Sequence, residues 1–172
     1  MAAAQVDVFK AQMAQKSNLE VIADKVIKKV NSSYSMRIKQ MACIENIVRG
    51  KDTLAILPTA YGKSLIYQML PAINKSLPTG PKHPIVLVIS PLQSLIRNQI
   101  SEADELTSYL GIKACSLDTC SDVESLKSAG YNIILGIPEK WLSSSVKDFV
   151  SSSFLRKNVV CVVVDEAHKI SW

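Results

Sequence analysis

Leu57-Pro58-Thr59-Ala60-Tyr61-Gly62-Lys63-Ser64 is the stretch that decides the fold. It joins an apolar, strand-like run, Thr53 to Leu57, to a segment with helical character from Lys63 to Lys75. A phosphate-binding loop needs that placement. Gly62 allows the backbone to curl closely around an anion, and the amides opening the next helix point at it. In such a loop Lys63 reaches the terminal phosphates of a nucleotide as a point charge, and the Ser64 hydroxyl is a ligand for Mg²⁺. Thr59, Ala60 and Tyr61 complete the cradle. The full pattern G-x-x-x-x-G-K-[ST] is not met, because Leu57 stands where its first glycine falls. A Gly-Lys-Ser triplet alone also arises in surface turns, so the reading rests on strand, loop and helix together.

Downstream, β-like runs alternate with helical ones. The runs are Ile85 to Ser90, Ile112 to Leu117, Asn132 to Ile137 and Val159 to Val164. Helices are predicted over Leu92 to Leu110, Ser121 to Ser128 and Glu139 to Phe149. Unbroken apolar runs such as Val-Val-Cys-Val-Val-Val mark strands covered on both faces. Strands alternating with helices mark a parallel sheet built from right-handed crossovers. Upstream, Ala3 to Val30 favours helix, with Val21, Ile22, Val26, Ile27 and Val30 on one stripe, and Ile38 to Val48 forms a second helix ended by Gly50. The expected architecture is a three-layer α/β/α sandwich with a mostly parallel sheet. A helical extension is expected over residues 1–33 and the nucleotide-binding lobe over 34–172.

The last strand runs directly into Asp165-Glu166-Ala167-His168. That delivers acids to the carboxyl edge of the sheet, beside the phosphate loop. An isolated Asp-Glu is ordinarily a solvated strand end, and a lone His a polar cap. After a phosphate loop and a buried strand, Asp165 reads as a Mg²⁺ ligand opposite Ser64. Glu166 reads as the base that orients and deprotonates an attacking water. His168 is placed to sense the terminal phosphate.

Composition is consistent with one globular domain. Of the 172 residues 48% are hydrophobic, and 20 Lys and Arg against 15 Asp and Glu leave a net charge of +5. That modest excess favours a polyanionic partner, although it is common on soluble domains and here is dispersed. The four cysteines, Cys43, Cys115, Cys120 and Cys161, show no zinc spacing and read as free thiols in a reducing compartment. No apolar run approaches a membrane span, and the start lacks a secretory pattern. The sequence reading is of a soluble intracellular protein.

Pro-Thr-Ala-Tyr-Gly-Lys-Ser and Asp-Glu-Ala-His together resemble motifs I and II of superfamily 2 helicases, and further matches narrow the resemblance to the RecQ family. Arg37-Ile38-Lys39-Gln40 is similar to that family's Arg-x-x-Gln element, whose glutamine recognises adenine. Ser64-Leu65-Ile66-Tyr67-Gln68 followed by Leu70-Pro71 looks like RecQ text. Ser90-Pro91-Leu92 with Ser94 and Asn98-Gln99 resembles motif Ia, and Ile137-Pro138-Glu139-Lys140 resembles motif Ib with Ile137 in place of threonine. Ile170, Ser171 and Trp172 resemble the start of an aromatic-rich loop.

The resemblance spans residues 36–172. It implies ATP and Mg²⁺ as cofactors and Arg37 and Gln40 at the base. It further implies DNA contacts through Ser90, Pro91, Gln99, Pro138, Glu139 and Lys140. The implied activity is 3′–5′ translocation on DNA in a nuclear repair or recombination enzyme. A second lobe, which supplies an arginine finger, is not contained in the sequence, so the chain is expected to be a partial lobe unable to unwind DNA by itself. Three other classes are weighed: a nucleotide-dependent binding fragment without motor activity, a superfamily 2 motor acting on RNA, and a structural remnant without nucleotide function, which the intact Lys63, Ser64, Asp165 and Glu166 argue against.

Overall fold

A computed structural model describes residues 18–120 and 122–167. Helix α1 (Asn18–Val30) and α2 (Ile38–Val48) precede the loop and α3 (Lys63–Ser76). Then follow β1 (Ile85–Ile89), α4 (Gln93–Leu110), β2 (Ala114–Ser116), α5 (Val123–Ser128) and β3 (Ile133–Gly136). The described part closes with α6 (Pro138–Trp141), α7 (Ser144–Ser151), α8 (Ser153–Asn158) and β4 (Val159–Val164). The four strands form one parallel sheet in the order β2-β3-β1-β4.

The strands split their side chains between two cores with a period of two, as a pleated ribbon requires. Val86, Val88, Ile133 and Leu135 face one core, with α1 to α4 covering it. Ile85, Leu87, Cys115 and Ile134 face the other, closed by Leu126, Val146, Phe149 and Leu155 from α5, α7 and α8. This is the expected α/β/α sandwich. Ala23, Val26 and Ile27 of α1 are buried in the first core together with residues of α3 and α4. The remainder of the predicted Ala3 to Val30 helix, residues 3–17, lies outside the described residues.

Three sequence expectations are corrected. Thr53 to Leu57 is not a strand: it is irregular, and Leu54 and Ile56 are 83% and 84% exposed. A strand needs a hydrogen-bonding neighbour. Here a groove of about 810 Å³ separates this segment from the free edge of β4, so its backbone has no ladder to join. The apolar run at Val159 to Val164 is likewise not covered all round, with Val162 and Val164 half exposed on the edge strand. The third correction concerns the helix predicted over Glu139 to Phe149, which is broken in two. The Ser143 hydroxyl donates to the Lys140 carbonyl at 2.7 Å and terminates α6. An additional short helix, α8, starts where the Ser152 hydroxyl accepts from Leu155 N at 3.2 Å.

The cysteines are free, and no helix among the described residues is long and apolar enough to cross a membrane.

Phe149 is fully buried, and Phe149→Ala should destabilise the chain by roughly 3–5 kcal/mol in urea unfolding. Ile56→Ala, in the segment misread as a strand, should change stability by less than about 0.5 kcal/mol. A multi-kilocalorie loss at Ile56 would instead place that segment in the core.

Candidate nucleotide site

The loop from Pro58 to Lys63 takes its shape from two left-handed residues, Ala60 at φ 59° and Gly62 at φ 83°. Gly62 is required twice over. L-residues avoid its φ, and a Cβ there would lie 2.6 Å from Gln40 Nε2. Beyond Gly62 the first turn of α3 has no side-chain cap, leaving its N–H groups for an anion.

Gln40 braces this loop from α2. It is fully buried, and its Nε2 donates to Tyr61 O at 3.0 Å and to Gly62 O at 3.1 Å. Its Oε1 accepts from Arg37 N at 2.9 Å and from Tyr34 Oη at 3.5 Å. Arg37 stacks its guanidinium over the Tyr61 ring, 4.7 Å from the centroid, and donates from Nη1 to Tyr61 O at 3.2 Å. Arg37, Gln40 and Tyr61 are thus brought together. The Gln40 amide, however, is spent on the loop rather than held open to a base.

The acidic end arrives from the far side. Asp165 N donates to Ile89 O at 2.9 Å, so the β1–β4 ladder carries the acid to the carboxyl edge of the sheet. Glu166, at φ 49°, turns its carboxylate back to within 3.6 Å of Lys63 Nζ. Asp165 accepts from Glu166 N at 3.0 Å on Oδ1 and from Gln99 Nε2 at 2.7 Å on Oδ2. Tyr67, which in the sequence belongs only to the RecQ-like stretch, is buried on α3. Its buried hydroxyl is near Ser64 and Asp165 but has no partner in good hydrogen-bond geometry. Burial, reinforced by the Asp165 charge, pushes the Tyr67 phenol well above its usual range, so it stays protonated as a donor.

Ser64, Asp165 and Glu166 offer hard oxygen donors, which suit Mg²⁺. Among the described residues no cluster of three or more His, Cys, Asp or Glu could hold a metal ion. A cation here would therefore share few protein ligands with phosphate oxygens and water, the usual arrangement for Mg²⁺ with a nucleotide. The unsatisfied Tyr67 hydroxyl beside Ser64 and Asp165 is a ready donor to such a water. The residues fit the ion. His168, and Ile170 to Trp172, lie outside the described residues.

The residues expected to meet DNA divide into two groups. Ser90 is fully buried with its hydroxyl unpaired, and Gln99 is 7% exposed with its amide on Asp165. Neither offers DNA a contact in this conformation, because both point into the fold. Pro91 is half-buried, and the exposed polar groups of that stretch are Gln93, Ser94, Arg97 and Asn98, of which Ser94 and Asn98 belong to the motif Ia resemblance. Pro138 opens α6, and Glu139 and Lys140 are exposed on it. Lys140 Nζ pairs with Asp118, at 3.3 Å, another residue the sequence reading missed. Asp118 lies in an unremarkable turn, so only the chain's return beside α6 reveals it.

A parallel sheet within an α/β/α sandwich, with a glycine-hinged loop leading to a helix and an acidic pair at the same edge, defines a RecA-like nucleotide-binding lobe. The chain belongs to the DEAD/DEAH box helicases, whose family profile matches residues 37–171. It is 33% identical over 153 residues to the ATP-dependent DNA helicase RecQ of Haemophilus influenzae, covering 85% of this chain and 22% of that protein. It is 29% identical over 178 residues to the ATP-dependent helicase SGS1 of Saccharomyces cerevisiae, covering 95% of this chain and 12% of that protein. The chain therefore spans a minor part of the length of these relatives. The fold is similar to that of the DUF1998 helicase MrfA bound to DNA and AMPPNP, with a TM-score of 0.68 at 21% identity. That match covers 85% of this chain and 21% of MrfA.

Gly62→Ala should collapse the cradle, since its Cβ has to displace the Gln40 amide while the backbone holds a left-handed φ. Affinity for ATP, measured by fluorescence with a labelled analogue, should fall at least about tenfold. Circular dichroism should still show the sandwich.

Proposed function

We propose that this chain is the ATP-binding lobe of a RecQ-like DNA helicase, coupling Mg²⁺-ATP hydrolysis to movement along DNA. The observation that carries the reading is the meeting of Lys63 and Glu166 at 3.6 Å across the carboxyl edge of the sheet, with Ser64 and Asp165 alongside. A terminal phosphate entering between them takes the ammonium from Glu166. The Glu166 carboxylate then holds and deprotonates a water, which attacks the terminal phosphorus as its bond to the bridging oxygen breaks and ADP leaves. Ser64 and Asp165 would hold Mg²⁺, which would neutralise charge on the phosphates.

The RecQ resemblance extends the reading to 3′–5′ polarity, to junction and single-stranded DNA as the track, and to a nuclear role in repair or recombination. DNA contacts on this lobe fall to the exposed part of α4 and to Glu139 and Lys140 on α6. The same resemblance implies that unwinding requires a second lobe. The proposed division is a helical extension over residues 1–33 and the lobe over 34–172.

ATP turnover by the chain with Mg²⁺, with and without single-stranded DNA, tests this reading. Turnover should be slow and DNA-stimulated, and Lys63→Ala should abolish it. ATP binding without DNA-dependent turnover would instead favour a nucleotide-dependent binding lobe, and stimulation by RNA alone would move the chain to an RNA-directed motor.

A further inference from the structure

Helix α4 buries a stripe made of Ile96, Gln99, Ala103 and Leu106. Three of these are aliphatic, as packing on a sheet demands. Gln99 is the exception. At 7% exposure its amide oxygen is buried without a partner, a cost that packing alone would avoid with leucine. Its other end explains why it is there. Nε2 donates to Asp165 Oδ2 at 2.7 Å, a short charge-assisted bond between residues 66 apart in the chain. Among the described residues the opposite carboxylate oxygen is held by the N–H of the next residue, Glu166, which turns with the same loop. Gln99 is therefore the contact that fixes this carboxylate to the body of the lobe.

We infer that Gln99 is a positioning residue for the Mg²⁺-binding carboxylate, holding Asp165 in one orientation so that its remaining lone pairs serve the ion. The inference rests on the nucleotide reading above. Partners of this kind set the direction and basicity of a ligand, and their loss typically weakens metal binding by about 10–100-fold. Because α4 leads away from Ser90-Pro91-Leu92, the same bond carries any shift of α4 to the metal site.

The test is Mg²⁺-dependent binding of a fluorescent ATP analogue to the 172-residue chain, titrated with Mg²⁺ and repeated in EDTA. Gln99→Leu should raise the Mg²⁺ concentration for half-saturation about tenfold. Nucleotide affinity in EDTA and the unfolding midpoint should stay at wild-type values. Gln99→Met, closer to glutamine in shape, carries the same expectation should the leucine variant misfold. In an Asp165→Asn background, where Mg²⁺ adds little, Gln99→Leu should cause no further loss of Mg²⁺-dependent affinity. Unchanged half-saturation in both Gln99 variants overturns the inference, as does an equal loss with and without Asp165. If wild-type chain shows no Mg²⁺-dependent nucleotide binding, the nucleotide reading fails and the inference with it.

Discussion

The site depends first on the Gln40 side chain, a fully buried amide with both ends engaged. Two of its N–H groups hold the carbonyls of Tyr61 and Gly62, and its oxygen holds the N–H of Arg37 at the start of α2. A net contribution of about 1 kcal/mol is typical for each such bond, but leaving any of these buried groups unpaired costs about 1–3 kcal/mol. The loop is therefore preformed, and α2 is tied to the mouth of α3 rather than merely packed beside it. The same close approach is what excludes a side chain at Gly62.

Around that brace the parallel sheet does the gathering. Its strands all end at one edge, where β1 runs into Ser90, β3 into Pro138 and β4 into Asp165. Residues far apart in sequence reach the loop through ladder bonds, not through flexible linkers. Trp141 Nε1 donates to Val88 O at 3.2 Å and pins α6 to β1, and Gly136 makes room because a Cβ there would meet Leu117 and Trp141. Lys63 and Glu166, partly exposed, form an ion pair of the kind worth little to stability. Such a pair is readily exchanged for a phosphate.

Much of this was legible beforehand. Local chemistry announces Gly62, Lys63 and Ser64, since a phosphate loop needs a glycine hinge and a helix start in immediate succession. Alternating apolar and helical runs announce the sandwich, and the strand-to-acid junction at Val164–Asp165 announces the acidic edge. Thr53 to Leu57 was misread because β-propensity describes fitness for a ladder, while only the sheet decides whether a neighbour stands beside it. Helix α8 escaped notice because one Ser152 cap starts it within a serine run.

The sequence by itself determined the class of fold and which residues are candidates to meet phosphate and metal, because each rests on short-range pattern. Tertiary structure alone decided what the amides do. Gln40 and Gln99 look like surface residues that read a base or a strand, yet both are buried and turned onto the protein itself. The groups that their amide nitrogens reach lie 21 to 66 residues away. An amide pairs with whatever polar group the fold brings within about 3 Å, and that distance is set by packing of helices on the sheet, which local sequence does not contain.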